Sequence, residues 1–196
     1  MGEDASELDD AGDRSQLVVP SDVPALAGVR YLHGCFPEAF LQELDVVRLE
    51  TEVSTSSQNM FANRRFLRSD ELAAKVLSYL PSSLGFTRIL SDMRFIEYPP
   101  GGHILPHVDG VRVDAETLES STHSMLLFTS DVPEGEGGET EFLDGLEGKN
   151  GGAEENDVLF AARPSRGSVL LFPHDAPHRG ACVGLHPKIL LRGDLY

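Results

Sequence analysis

The apolar positions of this chain change period once. Up to about residue 81 they recur at helical spacing, and beyond it they alternate in short runs. After Pro37, the positions Ala39, Phe40, Leu41, Leu44, Val47 and Arg48 predict a helix over 37–49 with proline at its first helical position. Ser69 is a good N-cap, Asp70 and Glu71 suit the positive end of a helix dipole, and Leu72, Val76, Leu77 and Leu80 make the stripe of a second helix that Pro81 stops. The later runs, broken by Gly and Pro, predict strands at 93–98, 124–129, 140–143, 158–162, 168–172, 181–183 and 188–191. Many short strands without an internal repeat describe a mainly β (α+β) sandwich or barrel with supporting N-terminal helices.

Composition narrows the class. The 196 residues are 40% hydrophobic and 24% charged, enough for one domain with a sizeable core, which we place at 17–196. Residues 2–14 hold six acids, one arginine and one leucine, so 1–16 reads as a flexible acidic tail. A formal net charge of -16 repels phosphate backbones and anionic lipid, which argues against nucleic-acid and membrane partners and favours a neutral or basic one. No apolar run reaches the roughly 18 residues of a membrane span, and no secretory signal opens the sequence, so an intracellular, cytoplasmic protein is expected. Cys35 and Cys182 lack CxxC spacing and are read as two reduced thiols. Residues 131–157 hold ten acids, seven glycines and one lysine, a solvated excursion interrupted by the strand 140–143.

The candidate chemistry lies in the second half. His107 and Asp109 are two apart and, in extended backbone, point to the same side, so an imidazole nitrogen and a carboxylate oxygen can converge on one cation. Chance supplies about 0.5 such His-x-Asp pairs in a chain of this composition, so the pair alone is not a site. The stretch after the strand 168–172 adds His174 and His178, either of which offers a third ligand. Two imidazoles and one carboxylate leave coordination positions open, the pattern of non-haem Fe(II) oxygenases rather than of closed structural zinc. Ten residues beyond His178, strand alternation puts Lys188, Leu190 and Arg192 on one face, sending a cation into a pocket where it needs an anionic partner.

Three ordered stretches resemble the Fe(II)/2-oxoglutarate dioxygenases of the prolyl 4-hydroxylase type. They are Tyr-x-x-Gly-x-x-Ile-x-x-His-x-Asp at 98–109, Gly-Gly-Glu-Thr-x-Phe at 137–142, and His-x-Gly followed by Lys188 and Leu-Arg at 178–192. The likeness spans about 90–196 and implies a double-stranded β-helix, or jelly roll. It implies that His107, Asp109 and His178 bind Fe(II), ahead of His174, which lacks the His-x-Gly pattern. It also implies that Lys188 holds the remote carboxylate of 2-oxoglutarate, with Arg192 replacing or assisting it, and that Tyr98 and Thr140 hydrogen-bond this co-substrate. O2 is then the second co-substrate, and ascorbate a further candidate cofactor.

The reaction so implied is hydroxylation of an unactivated C–H bond with release of succinate and CO2. A peptidyl proline or another protein side chain is the expected substrate, with 131–157 a candidate lid, and a free amino acid or other small molecule is the alternative. A non-catalytic, cupin-like metal-binding protein is the competing class, but it has no use for a buried cation beside its metal.

Overall fold

The computed structural model describes residues 19–55, 61–146 and 157–196. The tail 1–16 and residues 147–156 of the acidic excursion lie outside these. In chain order the elements are β1 (Arg30–Leu32), α1 (Glu38–Glu50), β2 (Asn63–Arg68), α2 (Asp70–Tyr79), β3 (Asp92–Tyr98), β4 (Ile104–His107), β5 (His123–Phe128), β6 (Thr140–Leu143), β7 (Val158–Ala162), β8 (Val169–Pro173), β9 (His178–Gly180) and β10 (Lys188–Leu195). Two antiparallel sheets result, one in the order β1-β8-β5-β10-β3-β2 and one in the order β4-β9-β6-β7, the expected double-stranded β-helix.

Helix α2 starts as the sequence predicts, with the Ser69 hydroxyl accepting from the amide of Leu72 at 3.1 Å. Helix α1 differs by one position. Pro37 lies at φ -70° and ψ 148° and is the cap rather than the first helical residue, its carbonyl accepting from the amides of Phe40 and Leu41. Both helices lie on one face of the larger sheet. Phe40, Leu41, Leu44, Ala73 and Val76 pack there against Phe95, Met125, Leu127, Leu171 and Leu191. The alternate residues of the same strands, Ile96, Leu126, Phe128, Leu170, Phe172 and Leu190, turn inward with Phe142 of the smaller sheet. Strands β5, β8 and β10 are therefore buried on both faces, which is why they read as nearly continuous apolar runs.

Besides α1, five strands depart from the sequence reading. Strand β4, with Pro106 inside it, is absent from the predicted runs. Strand β9 occupies 178–180 instead of 181–183, because His178–Gly180 is the segment that pairs with both β4 and β6, whereas Val183 makes only an isolated bridge to Gly137. Gly180 permits that approach, since a Cβ there would lie 2.9 Å from Ile104 Cγ2. Strand β10 runs past 191 to Leu195 because Arg192 and Asp194 neutralise each other inside it. Strand β2, with its three arginines, has no apolar alternation to announce it and lies at the sheet edge, where charged side chains are favoured. Strand β1 has only three residues and pairs with β8.

Candidate active site

Strand β4 ends at His107, which faces His178 across the β4–β9 ladder, so pairing of these strands closes a 71-residue separation in sequence. The two ring centroids are 4.3 Å apart. Asp109 follows β4, held by its amide, which donates to the carbonyl of His174 at 2.8 Å. His107 Nε2 lies 3.8 Å from Asp109 Oδ1, and His178 Nε2 lies 3.9 Å from Asp109 Oδ2. One ligand atom from each residue falls within 4.8 Å of the others. The two measured pairs are closer than twice a metal–ligand bond of about 2.1 Å, so the spacing is short enough for a single cation to span them.

The ring tautomers suit the same purpose. His107 Nδ1 lies 2.8 Å from the carbonyl oxygen of Leu105, and His178 Nδ1 lies 2.9 Å from that of Ala176. A carbonyl only accepts, so each Nδ1 carries the proton and each Nε2 turns a lone pair inward. Burial, reinforced by His107, pushes the His178 imidazole down to about 4 against the opposing pull of Asp109. It is neutral at pH 7, the form a metal needs.

A chain of hydrogen bonds sets the carboxylate. The Ser121 hydroxyl meets His174 Nε2 at 2.7 Å, and His174 Nδ1 meets the Ser124 hydroxyl at 3.0 Å. Ser124 Oγ in turn donates to Asp109 Oδ2 at 2.5 Å. Because the single Ser124 proton goes to Asp109, His174 Nδ1 must be the donor to Ser124. Arg192 grips the other side of the carboxylate, its Nη2 3.1 Å from Asp109 Oδ1. Burial pushes the Asp109 carboxyl up, but Arg192, His178 and Ser124 together outweigh it and hold it below the usual carboxylate range.

His174, the alternative ligand in sequence, thus has both ring nitrogens engaged and acts as a strut. The Ser124 hydroxyl is the pivot of this chain, so Ser124→Ala should weaken Fe(II) binding by about 10- to 100-fold, as loss of a ligand's supporting partner typically does. Titration of the metal-free protein with Fe(II) under argon checks this, and an unchanged affinity would remove the strut from the site.

Lys188 enters the same cavity from β10 and is 3% exposed. Its ammonium donates to Thr140 Oγ1 at 3.0 Å and lies 5.6 Å from the Tyr98 ring centroid and 5.5 Å from that of Phe128. Among the described residues no carboxylate lies within ion-pair distance of it. Burial pushes it down to about 7, with Glu139 and Glu141 pulling weakly the other way. Arg192, on the same strand face, is committed to Asp109, Asp194 and Ser124.

One cavity of about 210 Å3 is lined by Tyr98, His107, Asp109, Thr140, His178, Lys188 and Arg192, together with Arg64 and Arg94. All seven residues that the family resemblance assigns to the site therefore line one cavity, and His174 does not. Ser124, the strut role of His174 and the two further arginines were not foreseen, although Arg94 shares strand parity with Tyr98 and could have been placed from that. His103 lies outside this cavity, against Phe61, and His186 is exposed beside Glu136. Among the described residues no helix is long and apolar enough to cross a membrane.

No family model and no curated protein matches the sequence. Solved structures do match the fold. A viral collagen prolyl hydroxylase from Paramecium Bursaria Chlorella virus-1, solved as its 2-oxoglutarate complex, superposes with a TM-score of 0.60 at 14% identity, covering 85% of this chain and 94% of that one. A prolyl-4-hydroxylase of Pseudomonas putida gives 0.58 at 17% identity, with 87% and 94% covered. HygX from Streptomyces hygroscopicus, bound to nickel, 2-oxoglutarate and hygromycin B, gives 0.59 at 12% identity, with 86% and 82% covered. At such identities the likeness establishes the fold.

Proposed function

We propose that this chain is an Fe(II)- and 2-oxoglutarate-dependent dioxygenase that hydroxylates an unactivated C–H bond. The observation that carries the reading is the buried Lys188 ammonium, which shares a cavity with the two-histidine, one-carboxylate cluster and has a threonine hydroxyl, but no carboxylate among the described residues, to receive it. A metal store has no need of that cation, whereas a dicarboxylate co-substrate supplies its missing anion. The similarity to enzymes solved with 2-oxoglutarate supports the same reading.

In this reading His107, Asp109 and His178 hold Fe(II), whose bound co-substrate and O2 supply the oxidation, one oxygen atom going to succinate and the other to the product. The chain's own contribution is orientation and exclusion of water. Lys188 and Thr140 take the remote carboxylate of 2-oxoglutarate, and Tyr98 closes the same end of the cavity. Ile96, Leu126 and Leu190 give it apolar walls. Arg192 and Ser124 keep the Asp109 carboxylate ionised and fixed. A peptidyl proline or other protein side chain is the substrate the sequence favours.

The direct test is anaerobic addition of Fe(II) and then 2-oxoglutarate to the purified protein. A visible charge-transfer band from the chelated keto acid is expected, and tight metal binding without a band would favour the non-catalytic metal-binding reading.

The Lys188 ammonium also sets a pH dependence. Empty, it loses its proton near pH 7, while a bound carboxylate favours the charged form, so binding above pH 7 requires proton uptake. Affinity for 2-oxoglutarate should be flat below pH 7 and fall by up to about tenfold per pH unit above it. Calorimetry on Ni(II)-loaded protein between pH 6 and 9 checks the slope, which Lys188→Met should remove.

A further inference from the structure

The cavity has a second cationic pole that the co-substrate leaves unused. Along the β3–β10 ladder, Lys188 faces Tyr98, Leu190 faces Ile96 and Arg192 faces Arg94. Lys188 and Arg94 thus mark opposite ends of one sheet face, four residues or about 13 Å apart along the strands. A five-carbon keto diacid has four C–C bonds of about 1.5 Å and is only about 5–6 Å long. With one end on Lys188 and the other on the metal, it does not extend to Arg94.

The two arginines of the far row are in different situations. Arg192 has Asp109 at 3.1 Å and Asp194 at 3.2 Å. The side chain of Arg94, a half-buried residue, makes no hydrogen bond or ion pair among the described residues, and its Nε is buried without an acceptor. Guanidinium donors taken out of water are normally satisfied, because leaving them bare is costly. Burial and the neighbouring Arg192 charge push the Arg94 guanidinium down to about 10, so both oppose its ionised form. Arg64, on β2 in register with Ile96, adds a further guanidinium to the cavity lining. A carboxylate on Arg94 would fill its donors and offset the repulsion from Arg192.

We infer that Arg94 receives a carboxylate of the prime substrate, which makes the substrate an acid and Arg94 its specificity-determining residue. This rests on the dioxygenase reading above. It also qualifies the expectation from net charge: the chain as a whole is strongly acidic, but the cavity is lined by Arg64, Arg94, Lys188 and Arg192 against Asp109. A free acid and an acidic side chain in a peptide present the same group, and the test separates them.

The protein is loaded with Ni(II) and 2-oxoglutarate, and calorimetry then measures binding of the free amino acids and of C3–C6 carboxylic acids beside their carboxamides. Blocked proline-containing peptides are compared in Glu and Gln versions. We expect at least one carboxylate to bind tenfold or more tightly than its amide, with Arg94→Gln bringing the two within threefold and Arg94→Lys restoring part of the preference. Affinity for 2-oxoglutarate should be unchanged in both variants, which also reports that each is folded. Preference among the free acids identifies a small-molecule substrate, and preference confined to the Glu peptides identifies an acidic peptide. The inference is overturned if no carboxylate outbinds its amide, or if the preference survives Arg94→Gln. Failure of the wild-type protein to bind 2-oxoglutarate at the loading step overturns the dioxygenase reading, and this inference with it.

Discussion

Fe(II)-dependent release of succinate is expected to fall below detection in His107→Ala. The variant removes one of three converging ligand atoms and leaves Asp109 and His178, and two ligands do not hold a labile divalent ion against water. His107 is the cleanest of the three positions to test. It ends β4, an edge strand of the smaller sheet, and its side chain is 30% exposed, so its loss opens no core cavity. His178 packs against Phe142 and Phe172, and truncating it would confound metal loss with a packing defect. Bound iron measured by atomic absorption should drop together with turnover, while the melting temperature of the metal-free protein stays near that of the wild type. Retained activity would remove this cluster from the catalytic site.

The second large effect concerns the co-substrate. Lys188→Ala should cost roughly 3–5 kcal/mol in 2-oxoglutarate binding, the usual penalty for stranding one member of a buried ion pair, or about two to four orders of magnitude in Kd. Arg192 is poorly placed to compensate, since Asp109 and Asp194 already hold it. Stability should move the other way. In the free protein the ammonium is buried with one hydroxyl partner, so replacing it by a neutral, similarly long side chain in Lys188→Met relieves a desolvation cost. A Lys188→Met protein that melts no lower than the wild type yet binds the keto acid weakly separates a ligand anchor from a structural lysine. A change in Kd below threefold in Lys188→Ala would reject the anchor.

Much of this site was legible in the sequence because its local parts obey backbone geometry. The shared face of Lys188 and Arg192 follows from the period of a strand, whatever the rest of the chain does, whereas Asp109 lies two residues beyond the end of β4 at His107 and is held by the His174 carbonyl. The helices were legible for a similar reason: Ser69, Asp70, Glu71 and Pro81 act on the residues beside them. The order of the three motif stretches indicated the fold, and the observed sheet order agrees with it.

The sequence by itself thus determined which candidate residues share a cavity and, for those on strands, which face each occupies. The tertiary structure alone decided their partners. Strand β9 lies three residues earlier than its apolar run suggested because ladder pairing with β4 and β6 outweighed local β-propensity. His174 became the strut of Asp109, because Ser121 and Ser124, some 50 residues earlier, meet its ring. Arg192 turned to Asp109 instead of a ligand, and Arg94 was left facing the cavity with its Nε unanswered. Each outcome depends on contacts between residues far apart in the chain. A local pattern has a period that can be read, whereas the partner of a buried charge is set by sheet register and by competition among all the groups that the fold brings within reach.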